Sequence, residues 1–256
     1  MDDHQVVSHD DWIEARKQLL AKEKEFTRLR DEMTSQQRSL PWEVVDQDYV
    51  FDGPGGQRSL AELFDGRSQL LVYHFMFDPS DDVGCPICSF WADNFNPLMT
   101  HLEARDVTMV AISQAPLAKI TAYKERIGWS FPWFSSHGSN FNFDYRVSFT
   151  PDEADQPVYN YDTLPPRDTQ REGLSVFYKG DDGSIFHTYS SYARGIDIVN
   201  TAYNYLDLVP KGRDETPPGP LWVRRHDEYG RCRSRQPPSN QPSGWSFTPG
   251  VTRPLS

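Results

Sequence analysis

At 256 residues, the chain is long enough to bury a sizeable core in one elaborated domain or two small ones. Its net charge of −11 argues against a nucleic-acid partner, because contact with phosphates needs a basic surface. No apolar run reaches the ~20 residues of a membrane helix, residues 1–4 lack the apolar stretch of a secretory signal, and three cysteines are few for a secreted scaffold. We therefore expect a cytoplasmic protein with no membrane partner.

Residues 1–40 are predicted to form an N-terminal helix, which runs from Asp10 to Arg38. Apolar side chains recur in it at seven-residue spacing, as in the seam of a coiled coil: Trp12, Leu19, Phe26 and Met33, with Ala15 and Leu29 at the second seam position. Lys22 and Gln36 interrupt that second position. The helix either covers the body of the protein or makes the contact of a possible homodimer.

The main domain is predicted to span residues 41–210. A strand-forming segment at 42–51 precedes a glycine-rich turn at 52–56, and Ser59 with Glu62 forms a capping box that starts a short helix. Residues 70–77 then form a continuous apolar run, which is typical of a strand buried on both faces.

Cys85 and Cys88 lie two residues apart where this buried strand turns into a helix. A cysteine in the first helical turn faces unpaired N–H groups and the positive end of the helix dipole, and both favour the thiolate. Pro86 suits the first helical position, and Cys88 lies one turn on, within reach of Cys85 for a disulfide. The pattern favours a redox pair over two inert cysteines or a metal site.

The remaining elements alternate between strands and helices. The cysteine helix is expected to continue through Leu102, followed by a strand at 107–113, a helix at 115–127 that Gly128 ends, and an edge strand or loop at 131–135. An irregular, aromatic-rich insertion at about 138–172 is expected to pack near the site and shape a substrate groove. A hairpin (174–178 and 184–189) and a last helix (192–208) close the domain, before a docked arm (211–230) and a disordered tail (231–256).

The order of these elements resembles the thioredoxin fold, and the stretches at 56–60 and 131–135 resemble its peroxiredoxin branch. Residues 12–229 resemble more closely the thioredoxin-like family catalogued as domain of unknown function 899, with matching stretches at 71–77, 84–93, 186–190 and 224–227. The resemblance implies an α/β, thioredoxin-like fold with an N-terminal helix and β-hairpin extension, an aromatic-rich insertion and a disordered C-terminal tail. The family carries no settled activity over to this chain.

Three departures from these relatives bear on function. The residues at the place of the thioredoxin cis-proline are Gly173-Leu174-Ser175, a change that alters how a substrate backbone would pair there and that could also admit a metal. His74 falls near the place of the buried thioredoxin aspartate, so it is either the proton acceptor for Cys88 or a core histidine. Asp82 stands where peroxiredoxins carry a hydroxyl, and its charge would disfavour a peroxide-activating thiolate.

The expected catalytic residues are therefore Cys85 as attacking thiolate, Cys88 as resolving thiol and His74 as proton acceptor. The expected substrate-binding residues are Pro86, Trp91, Gly173, Leu174 and Ser175. No second ligand pair has zinc spacing around the cysteines, so we expect no metal and no cofactor besides a redox-active Cys85–Cys88 disulfide. Cys232 is interpreted as an incidental thiol, and His187 as covering a sheet edge.

These expectations lead to a first hypothesis of a thiol–disulfide oxidoreductase that acts on a protein or small-molecule disulfide or thiol. The alternative is a non-enzymatic binding or redox-sensing module that uses the aromatic insertion. A second alternative is a peroxiredoxin-like peroxide reductase with Cys85 as the peroxidatic residue.

Overall fold

The computed structural model describes residues 4–155, 157–163, 169–215 and 220–232, and one large sheet organises them. In spatial order, its strands are β1 Glu43–Val44, β10 Ile185–Tyr192, β9 Gly173–Lys179, β4 Gln69–His74, β5 Val107–Ser113, β6 Trp133–Ser135, β2 Val50–Gly53 and β3 Gly56–Ser59. A separate small hairpin pairs β7 Val158–Tyr159 with β8 Asp162–Thr163. The α-helices are α1 His9–Arg38, α2 Leu60–Leu63, α3 Pro86–Ala92, α4 Met99–Glu103, α5 Leu117–Ile127, α6 Phe141–Asp144 and α7 Thr201–Leu206, and 3-10 turns lie at Asn96–Leu98, Glu153–Asp155, Ala193–Val199 and His226–Cys232.

The centre of the sheet has a thioredoxin-like topology, as the sequence predicts. Strands β4, β5 and β6 run parallel, and α3 lies in the crossover between the first two. The hairpin of β9 and β10 pairs antiparallel with the other side of β4, and α7 follows it. The cysteine pair therefore lies at the carboxyl end of the central strand, where open α/β sheets bind their ligands.

Alternate residues of β4 enter two different cores. Tyr73 packs on one face with Cys88 and Trp91, whereas Val72 packs on the other face with Ile112 and Phe177. Burying one such side chain contributes roughly 1.5–3 kcal/mol, so both faces hold the strand in one register. β6 is not an edge strand, because β2 pairs with its outer side through Asp52 and Ser135.

Two predicted helices are interrupted. The cysteine helix ends at Ala92, and a 3-10 turn that contains Pro97, which has no N–H to donate, precedes the separate helix α4. The last helix is split at Asn200, whose extended backbone and side-chain bond to the Tyr203 N–H cap α7 at 3.1 Å. A proline in the first case and a polar capping residue in the second thus stop helices that the apolar spacing alone would continue.

Helix α1 does not cover the body of the protein. Ser8 caps it by accepting from the Asp11 N–H at 3.2 Å, and none of its residues is buried. Its contact with the sheet is at the end of the helix, where the Gln37 amide donates to the Tyr189 hydroxyl at 3.0 Å. None of the helices in the described ranges has the length and apolar character needed to cross a membrane.

The insertion at 138–172 has partial structure of its own, and its aromatics divide between two places. Phe141 and Tyr145 pack against the sheet face that carries Val72. Tyr159 instead donates a hydrogen bond of 2.7 Å to the carbonyl of Glu172, beside the start of β9. The predicted tail (231–256) lies almost wholly outside the described residues.

Candidate active site

The turn before α3 holds Cys85 at the mouth of the site. Cys85 is the N-cap of the helix, with φ −55° and ψ 130°, and Pro86 takes the first helical position. The Cys85 N–H donates to the Met76 carbonyl at 3.2 Å, which fixes the turn to the end of the strand. Both cysteines are free thiols; Cys85 is partly exposed and Cys88 fully buried. Their exposure makes Cys85 the sulfur that a substrate can reach.

The surroundings of the two thiols shift their pKa values in opposite directions. A hydrogen bond from the Cys88 side chain is the largest cause that lowers the pKa of Cys85, and the backbone N–H groups of Ile87 and Cys88 lower it further, against the opposing effect of burial. Burial raises the pKa of Cys88 well above its ordinary value, and the neighbouring Cys85 raises it more. The N–H groups of the first helical turn thus act on Cys85 as the sequence pattern predicts.

Two side chains that the sequence analysis did not identify, Tyr73 and Glu172, also lie near the thiols. Burial is the main cause that raises the pKa of Tyr73, and the charge of Cys88 raises it further. The Tyr73 hydroxyl therefore lies near the buried thiol, although it makes no hydrogen bond with ideal geometry to that sulfur. The carboxylate of Glu172 contributes to raising the pKa of both cysteines. Glu172 directly precedes β9, which places an acid beside the end of the central strand.

The structure does not bring His74 to the cysteines. It follows Tyr73 in β4 and so points to the opposite face, where its ring stacks on Phe141 at 5.5 Å. Its Nε2 lies 2.9 Å from the Ser175 hydroxyl, and burial lowers the pKa of the imidazole to about 3. His74 therefore has the surroundings of a neutral core histidine.

The other expected substrate-binding residues are divided between faces. Pro86 adjoins Cys85, and Leu174 packs in the same core as Cys88. Trp91 is also a core residue, whose indole donates to the Ile196 carbonyl at 3.0 Å. Ser175 lies on the opposite face with His74.

Gly173 pairs with the end of β4 at a position that has no room for a side chain. Its Cα lies opposite that of His74, and a Cβ built there would come within 2.8 Å of the Tyr192 ring. The missing proline therefore reflects a close approach of β9 and β10, because a pyrrolidine ring would meet the same tyrosine.

The docked arm reaches the loop that carries Cys85. Arg225 donates to the Gly84 carbonyl from Nη2 at 2.6 Å and from Nε at 3.0 Å. Trp222 packs edge-on against Phe90 of α3 at 5.4 Å, and Val223 is buried. The arm is therefore part of the wall of the site.

The acidic loop before the cysteines does not bear on the thiols as expected. The Asp82 side chain is 99% exposed and lies 3.8 Å from Lys119, so water screens its charge. Solvent exposure therefore weakens the expected repulsion between Asp82 and a thiolate at Cys85. Over the ranges that the structure describes, no three His, Cys, Asp or Glu side chains group around a possible metal position.

Solved structures with a similar chain path include peroxiredoxin-type proteins. A bacterioferritin comigratory protein of Xanthomonas campestris, whose structure concerns alkyl peroxide reduction, is 12% identical with a TM-score of 0.42, over 62% of this chain and 92% of that chain. The peroxidoxin BcpB of Mycobacterium tuberculosis is 14% identical with a TM-score of 0.41, over 62% and 92%. A hypothetical protein of Sinorhizobium meliloti is 15% identical with a TM-score of 0.38, over 61% and 74%. Likenesses this distant do not bear on activity.

One family model matches nearly the whole of the chain that the structure describes. A comparison with curated proteins found no match. The model of a family described as a bacterial protein of unknown function, DUF899, matches residues 1–229, which include the sheet, the cysteine pair and nearly all of the docked arm. The chain belongs to this DUF899 family.

Proposed function

We propose that the protein is a thiol–disulfide oxidoreductase in which Cys85 attacks and Cys88 resolves. The observation that carries the proposal is the asymmetry of the pair: a reachable thiol whose pKa is lowered, beside a buried thiol whose pKa is raised. The lowered pKa of Cys85 favours its thiolate, which is the nucleophile, and the raised pKa of Cys88 keeps that thiol protonated before the second exchange. The proposed substrate is a disulfide in a protein or a small molecule.

The proposed reaction proceeds in two exchanges. The Cys85 thiolate attacks one sulfur of the substrate disulfide, forms a mixed disulfide and releases the other substrate sulfur as a thiolate. Cys88 then loses its proton and attacks Cys85, which releases the second substrate thiolate and leaves a Cys85–Cys88 disulfide. The substrate gains two electrons, the cysteine pair loses two, and the pair is the redox group of the reaction.

Glu172 is the proposed proton acceptor for Cys88, in place of His74. Its charge acts on both thiols, and it lies at the carboxyl end of the central strand on the cysteine side. His74 points to the opposite face with a pKa of about 3, so it is neutral at physiological pH but has no path to Cys88 through the sheet. A Glu172→Gln variant would then slow resolution and let the mixed disulfide accumulate.

Insulin-disulfide reduction with dithiothreitol, combined with a redox titration of the pair, tests the proposal. We expect turnover that Cys85→Ser abolishes, and a two-electron couple at roughly −200 to −300 mV. Cys88→Ser should trap a mixed disulfide on Cys85. A pair that stays reduced at every potential would rule the proposal out and favour a binding module.

Peroxide reduction is a second candidate because the partly exposed Cys85, as a thiolate, could also attack a peroxide. Cys85 would attack the peroxide oxygen, release water or an alcohol and become a sulfenic acid, which Cys88 would condense to the disulfide with loss of water. The exposure of Asp82 weakens the electrostatic objection to this step. Hydrogen peroxide turnover with a thiol reductant, faster than insulin reduction at equal enzyme, would favour this candidate.

A further inference from the structure

A continuous chain of hydrogen bonds runs across the sheet face that lies opposite the cysteines. Its links are Glu43 Oε2 to His187 Nδ1 at 3.3 Å and His187 Nε2 to Ser190 Oγ at 2.7 Å. It continues from Ser190 Oγ to Ser175 Oγ at 2.9 Å and from there to His74 Nε2 at 2.9 Å. The chain joins an exposed carboxylate to a buried imidazole through His187 and two serines, Ser190 beside His187 and Ser175 beside His74.

With a neutral His187, the Glu43 carboxylate sets the direction of the links. Glu43 as a carboxylate only accepts, so the Nδ1 of His187 carries the proton and its Nε2 accepts from the Ser190 hydroxyl. The Ser175 hydroxyl can then donate a hydrogen bond to Ser190 Oγ, and the Nε2–H of His74 can donate one to Ser175 Oγ. The serine at the centre is thus hydrogen-bonded to a base that a carboxylate orients, which is the arrangement of an activated serine nucleophile.

Backbone geometry supplies a donor for a developing oxyanion. The Ser190 carbonyl accepts from the Tyr161 hydroxyl at 3.4 Å, so it points away from β9 towards the open edge of the sheet. In a strand, the N–H of a residue points to the same side as its carbonyl. β1 pairs with β10 only at Phe186 and His187, so the N–H of Ser190 points to an edge that carries no strand.

A cavity of about 570 Å³ opens at the same edge, lined by Leu40, Tyr161, Tyr189 and Tyr192 together with His187 and Ser190. Its walls are mainly aromatic and aliphatic, which suits an uncharged acyl or aryl group. The serine itself is 5% exposed, so a bound group would meet it out of bulk water. The cavity and the serine thus adjoin at this edge of the sheet.

From this arrangement we propose a second active site, in which Ser190 is an acyl-transfer nucleophile, His187 its base and Glu43 a positioning residue. Ser190 Oγ attacks the carbonyl carbon of a small ester, its proton passes to His187, and the protonated imidazole returns that proton to the departing alkoxide. Water then hydrolyses the acyl-serine, with His187 again as the base. The site uses no residue of the cysteine pair.

Labelling with an alkyl fluorophosphonate tests the site, because Ser190 would form an O–P bond as the P–F bond breaks. We expect one adduct per chain, mapped by peptide mass to Ser190 and absent in Ser190→Ala. His187→Gln should slow labelling by about 10² or more, and Glu43→Gln should slow it by a smaller factor, because the Glu43 side chain is 78% exposed and holds His187 through one contact of 3.3 Å. Hydrolysis of 4-nitrophenyl acetate should fall in the same order.

The matched control is Ser184→Ala, which removes a serine from the hairpin turn before β10 and should leave labelling unchanged. Glu43→Gln alters a side chain that is 78% exposed, so it serves even where Ser190→Ala does not fold. No adduct at Ser190 in the folded protein would overturn the proposal, as would equal labelling of the wild type, His187→Gln and Glu43→Gln.

The exposed seam of α1 carries a second and independent inference. The helix has 30 residues and buries none of them, and Phe26 in its seam is 65% exposed. A lone helix in water gains little from propensity, and exposed aromatic side chains in a repeating stripe need cover. The seven-residue repeat is the spacing that covers such a stripe with another helix of the same kind.

The charges beside the seam select a parallel pair. In a parallel, in-register pair, Asp11 of one copy faces Arg16 of the other, and Glu25 faces Arg30, and neither of the remaining two flanking pairs joins like charges. An antiparallel pair centred on the helix instead brings Glu25 beside its own copy. We infer that α1 forms a parallel two-stranded coiled coil with a second copy of this chain, with Lys22 as a polar seam position that weakens it.

Sedimentation equilibrium of the full chain tests this inference. We expect a dimer that Phe26→Glu converts to a monomer and that Lys22→Leu tightens, while Lys24→Ala on the outer face of the helix changes nothing. Near-ultraviolet circular dichroism should stay the same in all three variants, because the body is intact. A wild-type monomer at every concentration, or a dimer that survives Phe26→Glu, would contradict the inference.

Discussion

Arg225 holds the carbonyl of Gly84, the residue directly before Cys85, with two hydrogen bonds of 2.6 and 3.0 Å. The two residues are 141 positions apart in the chain. The same guanidinium lies 3.1 Å from the Tyr123 hydroxyl and 3.2 Å from Glu228, so it ties the arm, α5 and the cysteine loop together. The position of Cys85 therefore depends on a segment outside the thioredoxin-like sheet.

Replacing Arg225 by leucine should loosen this junction. Hydrogen bonds to a charged group contribute about 1.5–3 kcal/mol, and we expect a loss of stability of this order in urea unfolding. The emission of Trp222, which packs on Phe90, should shift to the red as the arm leaves α3. Arg224→Leu is the control, because its side-chain bonds stay within the arm; an equal effect of both variants would contradict the prediction.

Cys88→Ala should raise the pKa of Cys85. The hydrogen bond from Cys88 is the largest cause that lowers it, and alanine cannot donate one. Iodoacetamide alkylation of Cys85, read by mass against pH, should therefore shift its midpoint to higher pH in the variant. Cys88→Ser, which keeps a donor, should shift it less. In the wild-type protein, Cys88 should stay unmodified, and its alkylation at neutral pH would speak against the burial described above.

Gly173→Ala should destabilise the protein by about 1–3 kcal/mol, as expected when extra atoms enter a packed core. The new Cβ would lie 2.8 Å from the Tyr192 ring and 3.0 Å from Val147. Gly55→Ala is the matched control, because the nearest atom to its Cβ is the end of the Arg58 side chain at 3.9 Å. Urea unfolding of both variants measures the difference, and equal stability would refute the close approach of β9 and β10.

His74 should make the protein acid-sensitive. The pKa of the His74 imidazole is about 3 in the folded state, against an ordinary value of ~6.5 in the unfolded chain. Between these values the unfolded chain binds a proton that the folded chain does not, so stability falls by up to about 1.4 kcal/mol for each unit of acidification. Above the upper value both states are neutral, and the contribution vanishes.

The variant His74→Asn should remove this pH dependence while keeping a partner for Ser175. Unfolding free energies of the variant and the wild type, measured from pH 7 to pH 4, should diverge in slope as the pH falls. His101→Asn, which alters an exposed histidine of α4, should leave the slope unchanged. Parallel curves for His74→Asn and the wild type would show that His74 is accessible to protons in the folded state.

The parts of the fold that follow from local sequence were predictable. The capping box at Ser59, the proline after Cys85 and the glycine at 128, with φ +83°, each fix a helix end through neighbouring residues. Period and length likewise identified the parallel strands β4 and β5. These signals act over a few residues, so one sequence is enough to read them.

The surroundings of the cysteines depend on contacts that local patterns do not encode. Whether Tyr73 or His74 faces the thiols is a choice of sheet face, and a strand that is apolar on both faces gives no alternation to settle it. Glu172 and Arg225 lie far from the cysteines in the sequence, and only the tertiary packing of the chain brings them to the site. The thioredoxin pattern places a proton acceptor on the strand below the cysteines, near His74, whereas the carboxylate that acts on both thiols is the half-buried Glu172, directly before β9.

The side-chain alternation at Tyr73 and His74 separates two groups of polar side chains by the thickness of one sheet. The thiol of Cys88 lies on the side of Tyr73, and the hydroxyls of Ser175 and Ser190 lie with the His74 imidazole on the other side. A substrate or inhibitor that fills one side therefore has no direct contact with the other, and chemical probes of each should act additively. Deleting a single residue within β4 would exchange the two neighbourhoods and abolish both at once.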